Sequence, residues 1–245
     1  PNAAGEPMDG YMLKPLNFDP SKRYPVVMSQ YSGPGSQSVL DDWKVDWEYY
    51  LASQGFIVAC VDGRGTGGRS RAYETAVYMH LGKYETEDQV AGARYMSSLP
   101  YVDGNRIGIY GWSYGGYETL MAMSTGGGIY RAGVAIAPVT DWRYYDTIYA
   151  ERFMRTPQEN GDGYRQSAPI THAANLKGNL LIVSGTADDN VHYLNTLQYS
   201  AALVEAGIQF DSQIYTNKDH HIRGCNTRLH LFTRVCNFFN DKLNR

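Results

Sequence analysis

The chain has 245 residues, enough for one large α/β domain with a buried sheet, and no linker divides it. Its formal net charge of −3 comes from dispersed charges, which argues against partners such as nucleic acid or a membrane surface. No apolar stretch reaches the roughly 20 residues of a membrane span. Because the chain begins at Pro1 without an initiator methionine, we expect it to be a piece of a longer protein.

Strands and helices are predicted to alternate along most of the chain. Apolar runs predict strands at 10–14, 24–30, 56–61, 106–110, 131–139, 180–184 and 210–215. Helical spacing predicts helices at 41–54, 86–99 (capped by Thr86), 141–151, 190–206 and 226–243, and one directly after residue 116. This alternation predicts an α/β fold with a mostly parallel sheet covered by helices on both faces.

The most informative stretch is RIGIYGWSYGGYETLMAM, residues 106–123. Glycines two residues before and two residues after Ser113 match the spacing of a nucleophile elbow, where a strand turns sharply into a helix. Glycine is needed there because a Cβ would collide with a neighbouring element. The pattern alone is weak in a chain rich in glycine, so the strand before it and the helix after it carry the interpretation. We expect Ser113 to be the nucleophile and the amide of Tyr114 to be an oxyanion donor.

A base and an acid are predicted in two later loops. Asp188 follows the strand LLIVS, and His220 follows the strand DSQIYT, so both lie beyond carboxyl ends of strands, where open α/β sheets keep their sites. The order Ser, Asp, His is that of α/β hydrolases. Asp189 and His221 remain alternatives for the two positions, whereas His192 is expected to be structural.

A second oxyanion donor and two rival motifs complete the candidates. No His-Gly-Gly loop is present, and the phenol of Tyr31 after the strand 24–30 takes its place as a possible donor.

The stretch 63–68 matches a dinucleotide fingerprint, but no strand with a terminal acid follows, so we expect a flexible surface turn. A metal site at His220, His221 and Cys225 lacks a fourth ligand. We expect neither a metal nor a cofactor.

Several separated motifs occur in the order typical of one family. They are QYSGPGSQ, DGRGTG, GWSYGGY, APVTDWRYYDTIYAERFM, GTADDNVH and the Asp-His pair before the last helix. By these motifs essentially the whole chain resembles the C-terminal catalytic domain of dipeptidyl peptidases in the prolyl oligopeptidase family of serine peptidases. The resemblance implies an α/β-hydrolase fold, a triad of Ser113, Asp188 and His220, and Tyr31 as the side-chain oxyanion donor.

The resemblance also implies a proline-sized specificity pocket. A flat apolar pyrrolidine suits a box of aromatic rings, and proline has no N–H that would need an acceptor. Asn190 would bond the substrate carbonyl before the scissile residue. Without the resemblance, DWRYYDTIY would be interpreted as an aromatic core helix. The implied pocket residues are Tyr114, Val139, Trp142, Tyr145, Tyr149 and Val191.

The expected function is therefore a serine exopeptidase that releases N-terminal X-Pro or X-Ala dipeptides through an acyl-enzyme. In the family, a pair of acids on an N-terminal β-propeller grips the substrate amine, and we expect that propeller in the parent protein. His221 stands where better-known family members carry glycine. A prolyl tripeptidyl or acylaminoacyl peptidase and a catalytically incomplete interaction module remain alternatives.

The last predicted helix carries two apolar stripes. They consist of Leu229, Phe232, Cys236, Phe239 and Leu243, and of Leu231, Val235 and Phe238. Together they are wider than one core contact needs, so we expect a possible homodimer through this helix. The family resemblance further suggests a periplasmic or extracellular location.

Overall fold

The computed structural model describes residues 1–43 and 46–244. Within these residues, seven strands form one sheet in the order β1-β3-β2-β4-β5-β6-β7, in which only β1 is antiparallel to its neighbour. The predicted mostly parallel sheet is thereby confirmed. The strands are β1 Asp9–Leu13, β2 Tyr24–Ser29, β3 Ile57–Asp62, β4 Val102–Trp112, β5 Ala132–Ile136, β6 Asn179–Gly185 and β7 Asp211–Tyr215.

Helices cover both faces of the sheet. One apolar core lies between the sheet and α3, α4 and α7, and a second lies between the sheet and α1 and α8. The helices are α1 Trp47–Ser53, α2 Arg71–Thr75, α3 Lys83–Ser98, α4 Tyr114–Thr125, α5 Thr147–Met154, α6 Gly161–Gln166, α7 Leu194–Glu205 and α8 Thr227–Leu243, with 3-10 turns at Trp142–Tyr144 and Pro169–Asn175.

Two helices begin at other residues than predicted, because an aspartate side chain caps each of them. The helix predicted at 41–54 begins only at Trp47, whose amide bonds the Asp46 carboxylate at 2.7 Å, and residues 44–45 of that prediction lie outside the described residues. The helix predicted at 141–151 is split, because Asp146 caps α5 by accepting the amide of Tyr149 at 2.8 Å.

Two further boundaries differ because of contacts that sequence spacing does not reveal. The prediction that Thr86 caps α3 is wrong, since this helix begins at Lys83 and the Thr86 hydroxyl donates to Glu118 at 2.9 Å. The strand predicted at 131–139 ends at Ile136, because Ala137 has a φ of 45°, which breaks the extended backbone. Both differences lie beside the predicted active site.

The C-terminal helix uses most of its apolar surface within the chain. Leu231, Val235, Phe238 and Phe239 are all buried against the sheet, and a Cβ on Gly108 would lie 2.8 Å from the ring of Phe239. Only Leu229, 70% exposed, points clearly to solvent. Most of the apolar width of the two stripes is therefore used within the chain, and the homodimer through this helix stays a prediction. None of the described helices is long and apolar enough to cross a bilayer.

Candidate active site

Residues 111–116 form a sharp connection between β4 and α4, which we call the serine turn. Ser113 has φ 60° and ψ −116°, a conformation that costs a non-glycine residue of order 1–3 kcal/mol. Its N–H donates to the carbonyl of Ile136 at 2.8 Å, and its carbonyl accepts from Tyr117 at 3.0 Å. These bonds hold the serine in the strained conformation at the carboxyl end of the sheet.

The glycines of the serine turn are required by close backbone contacts. A Cβ on Gly111 would collide with the carbonyl group of Gly115. A Cβ on Gly115 would lie 2.5 Å from the carbonyl oxygen of Gln30, at the end of β2. Only glycine therefore lets α4 begin directly beside the neighbouring strand.

Asp188 and His220 are bonded to each other. Asp188 Oδ2 lies 2.8 Å from His220 Nδ1, while Oδ1 of the same carboxylate accepts the amides of Asn190 at 3.0 Å and Val191 at 2.9 Å. The Asp188 side chain is fully buried. These three bonds use both carboxylate oxygens, so the orientation of Asp188 is set by its own loop.

The sequence alternatives lie outside this pair. Asp189 and His221 are exposed, and His192 is exposed as well. His221 donates its amide to Asp219 at 3.1 Å, which turns the loop so that adjacent histidines face different surroundings. Only Asp188 and His220 thus have the geometry of an acid that orients a base.

The His220 loop is tied to the serine turn through the backbone. Trp112, the residue before Ser113, donates its indole N–H to the carbonyl of His220 at 3.0 Å. Among the described hydrogen bonds, none joins the Ser113 hydroxyl to the imidazole. Such contacts are commonly loose without substrate and tighten in the complex. The three predicted triad residues are therefore on neighbouring loops of one sheet edge.

Tyr31 lies opposite Tyr114, with ring centroids 6.1 Å apart. It is 39% exposed, and partial burial raises the pKa of its phenol, which keeps the hydroxyl protonated and able to donate. Its loop is held by Ser32, whose hydroxyl donates to Gln30 at 2.9 Å, and the Gln30 amide in turn donates to the carbonyl of Gly115 at 2.8 Å. Two hydrogen bonds thus connect the Tyr31 loop with the serine turn.

The six predicted pocket residues lie in one apolar cluster beside the serine turn. Trp142 packs 5.5 Å from Tyr114 and stacks on Tyr149 at 5.8 Å, and Tyr145 meets Tyr149 edge-on at 5.3 Å. The Tyr145 hydroxyl donates to Asn190 Oδ1 at 2.8 Å, which ties the aromatic cluster to the Asp188 loop. The members are Tyr114, Val139, Trp142, Tyr145, Tyr149 and Val191.

Sequence reasoning missed a buried polar layer behind the serine turn. Glu85 of α3 is 1% exposed and accepts the Tyr114 hydroxyl at 2.7 Å, and burial raises its pKa to about 7. Glu118 is also buried, and burial together with the nearby Glu85 raises its pKa well above the usual range. Extending the buried stripe of Ala93 and Met96 back along α3 at helical spacing would have reached Glu85.

The stretch 63–68, which we call the arginine turn, is not the flexible surface turn that was expected. Arg64 donates to both oxygens of the fully buried Asp88 carboxylate, with the closest contact at 2.7 Å. The amide of Gly35 bonds the carbonyl of Gly65 at 2.8 Å, so this turn also braces the loop that follows Tyr31. Packing and an ion pair therefore hold it in place.

Within the described residues, no group of three or more His, Cys, Asp or Glu side chains could hold a metal ion. The described site brings together a hydroxyl on a strained turn, an imidazole oriented by a carboxylate, and hydrogen-bond donors near the turn.

Comparisons with known proteins show the family of the chain. The model of the Prolyl oligopeptidase family matches residues 43–245. Dipeptidyl peptidase 4 of Bos taurus is 43% identical over 231 residues, which cover 93% of this chain and 30% of that protein. Prolyl endopeptidase FAP of Mus musculus is 42% identical over 231 residues, with the same two coverages.

A solved structure gives the same result for the fold. In dipeptidyl peptidase 4 of Porphyromonas gingivalis, the matching region is 55% identical and superposes with a TM-score of 0.97, covering 99% of this chain and 34% of that one. This chain therefore spans about a third of the length of these relatives, and its fold is the α/β-hydrolase fold. Both the family match and the relatives confirm the resemblance seen in the motifs: the chain belongs to the prolyl oligopeptidase family.

Proposed function

We propose that this chain is the catalytic domain of a serine peptidase, similar to dipeptidyl peptidase IV, that releases N-terminal X-Pro or X-Ala dipeptides. The observation that carries the proposal is the position of the Asp188–His220 pair, which is tied through Trp112 to the strained turn at Ser113 and lies beside an aromatic cluster. The relatives named dipeptidyl peptidase 4 support the choice of substrate.

In the proposed reaction, His220 takes the proton of the Ser113 hydroxyl as its oxygen attacks the scissile carbonyl. Asp188 bonds Nδ1 of the imidazole, which leaves Nε2 as the base and stabilises the imidazolium that forms. The same proton then passes to the leaving amine, and an acyl-enzyme remains. Water, activated by His220, releases the dipeptide and restores the serine.

The oxyanion of the tetrahedral intermediate would be stabilised by two donors. The amide of Tyr114 is the first of α4, and the first amides of a helix have no partner within it. The Tyr31 hydroxyl is the second donor, and its raised pKa favours the protonated form that this role needs. Each such donor is typically worth about 10²- to 10³-fold in turnover.

Selectivity for proline or alanine follows from the aromatic cluster. A pyrrolidine would lie between the rings of Tyr114, Trp142 and Tyr149, where it would bury apolar surface without leaving a polar group unpaired. Because the Asn190 oxygen is bonded to Tyr145, its amide N–H₂ is available for the substrate carbonyl before the scissile residue.

Release of dipeptides, rather than of longer fragments, requires a grip on the substrate amine. We propose that the parent protein carries it on an N-terminal β-propeller, since this chain spans about a third of its relatives. A different family activity is favoured by the relative named prolyl endopeptidase FAP. Substrates of graded length separate the two, because only an amine anchor makes chain length and a free N-terminus decisive.

The test uses the full parent protein, a fluorophosphonate probe and X-Pro chromogenic substrates with free or acetylated N-termini. We expect Ser113 to be labelled, and only the free-amine substrates to be cleaved. His220→Ala is the control, since it should remove labelling without removing the serine. An unlabelled wild-type parent would contradict the peptidase assignment, and equal cleavage of acetylated substrates would contradict dipeptide release.

A further inference from the structure

A buried acid contacts the far end of the aromatic ring that follows the nucleophile. Glu85 Oε1 accepts the Tyr114 hydroxyl at 2.7 Å, and both residues are at most 3% exposed. Tyr114 has two proposed tasks, because its amide would bond the oxyanion and its ring lines the specificity pocket. A contact that sets the ring therefore also acts on the backbone that carries the amide.

The remaining described interactions of the Tyr114 ring are less directional than a hydrogen bond. They are ring contacts, at centroid distances of 5.1 Å to Tyr117, 5.5 Å to Trp142 and 6.1 Å to Tyr31. Contacts of this kind orient a ring less strictly, whereas a hydrogen bond to a carboxylate has a defined direction and is roughly twice as strong as a neutral one. Glu85 is thus the directional contact of this ring.

Glu85 is retained in this layer at a cost in stability. Within the described residues, its second oxygen, Oε2, is buried without a hydrogen bond to another side chain, and apart from Tyr114 only the nearby backbone amides of Glu85 and Gly82 favour the carboxylate. Among the described residues, the ionisable groups that face it are Asp88 on its own helix, Tyr114, Tyr117 and Glu118 on α4, and Tyr149 on α5, none of them a cation. A buried acid without a cation partner destabilises the fold, so its presence requires another explanation than stability.

We propose that Glu85 is a positioning residue for the peptidase reaction, holding the Tyr114 ring and, through it, the Tyr114 amide where the substrate needs them. This inference rests on the proposed function. Glu85 does not touch substrate in this scheme, and its whole effect passes through the Tyr114 hydroxyl. It should therefore act on both turnover and the choice between proline and alanine.

The decisive experiment is a double-mutant cycle in the full parent protein, with Glu85→Ala, Tyr114→Phe and the double variant. We expect each single change to lower kcat/KM for an X-Pro substrate about 10- to 100-fold, and the double change to cost no more than the larger single one. Both singles should also shift the ratio of X-Pro to X-Ala cleavage. A general loss of folded protein would leave that ratio unchanged.

Two further variants keep the test decisive if Glu85→Ala folds poorly. Glu85→Gln keeps an acceptor of the same size, so it should restore most of kcat/KM, to within about fivefold of the wild type. Glu118→Gln changes a neighbouring buried acid that bonds Thr86 instead of Tyr114, so it is the matched control and should leave the substrate ratio unchanged.

The pH profile gives an independent measurement. Since the pKa of Glu85 is raised to about 7 and the Tyr114 hydroxyl favours its charged form, removing that hydroxyl should move the inflection that Glu85 contributes to higher pH. In Glu85→Gln that inflection should vanish, while the one from the base remains.

Additive losses in the cycle, or an unchanged substrate ratio in Glu85→Ala and Tyr114→Phe, would overturn the positioning role while leaving the peptidase assignment intact. A wild-type parent that neither reacts with the fluorophosphonate nor cleaves X-Pro substrates would overturn both. The two failures are therefore distinguishable.

Discussion

The serine turn and the arginine turn both come after a buried strand, and both rest on carboxylates of the same helix. Glu85 of α3 contacts Tyr114 in the serine turn, and Asp88, three residues later, contacts Arg64 in the arginine turn. Glycines allow close packing in each, since a Cβ on Gly63 would lie 2.7 Å from the Asp88 side chain. Their backbone patterns are thus similar.

The two turns differ in the helix that comes after the glycines and in the partner of the buried acid. The serine turn enters the 12-residue helix α4 at once, so unpaired helix amides lie beside Ser113. The arginine turn leads only to the five-residue α2, which begins at Arg71. Asp88 is paired with a guanidinium, whereas no cation in the part of the chain that the structure describes pairs with Glu85. Glycine spacing therefore shows where the backbone packs closely, and the next helix decides whether donors remain available.

The largest expected difference between the serine turn and the arginine turn is the effect of a substitution on turnover. Ser113→Ala should lower kcat for an X-Pro substrate about a millionfold, because a triad acts as a unit. The matched change in the arginine turn is Thr66→Ala, which removes a buried hydroxyl bonded to the carbonyl of Gly63 at 2.7 Å. It should leave kcat within about twofold. Steady-state kinetics of the parent protein check both, and near-normal turnover in Ser113→Ala would contradict the assignment of the nucleophile.

The next effect is on folding of the serine turn. Gly111→Ala should destabilise the protein by about 4 kcal/mol or more, because the new Cβ would collide with the rigid backbone of Gly115. Gly161→Ala, where nothing lies within 4 Å of the new Cβ, is the control and should be nearly neutral. Urea unfolding measures both. Equal stability of the two variants would show that the turn can relax around a side chain.

In the arginine turn, the ion pair of Arg64 with Asp88 should contribute most to the free energy of unfolding. Arg64→Ala leaves the Asp88 carboxylate buried and unpaired, which should cost about 3–5 kcal/mol of unfolding free energy. Adding Asp88→Asn should recover part of this loss, because the uncompensated charge is then removed. The partly exposed contact of Arg64 with Glu87 should matter little, so Glu87→Gln should cost less than about 1 kcal/mol. A double variant no more stable than Arg64→Ala would contradict this account.

The buried Glu85 behind the serine turn should make stability depend on pH. The pKa of Glu85 in the folded chain is about 7, above its value of 4.5 in the unfolded chain, so protonation of Glu85 favours the folded state. This contribution to the unfolding free energy is fully present below pH 4.5 and is lost as the pH rises through 7. This group alone should lower the unfolding free energy by about 3 kcal/mol between pH 4 and pH 8. Glu85→Gln should flatten that decline, and an unchanged decline would show that Glu85 does not titrate in this range.

The smallest effect is expected at the exposed end of the arginine turn. Gly68 has a φ of 81°, and a Cβ there would meet only the flexible end of the Gln37 side chain at about 2.9 Å. Gly68→Ala should therefore cost about 1–2 kcal/mol, mainly from the backbone conformation. Thermal unfolding of Gly68→Ala and Gly111→Ala tests whether a new Cβ costs more stability when it meets backbone atoms than when it meets a flexible side chain. A larger loss at Gly68 would reverse the ranking of the two turns.

The spacing of residues along the chain was sufficient to predict most of the strands and helices. The runs that became β2, β3 and β6 were visible because both faces of these strands are buried, and the serine turn was visible because strand, glycines and helix are adjacent in the chain. Helix ends were harder. Whether Asp46 or Asp146 caps a helix depends on side-chain bonds that residue spacing does not specify.

The sequence by itself determined the order of the elements, the strained turn at Ser113 and the two loops from which an acid and a base could come, because each depends on residues close together in the chain. Only the tertiary structure decided that Asp188, and not Asp189, bonds His220 across 32 residues, and that Glu85 bonds Tyr114 across 29. It also showed that the arginine turn is packed and that α8 buries most of its two stripes within the chain, with Leu229 left exposed. Such pairings depend on where separate elements meet in the folded chain, and periodicity carries no information about that.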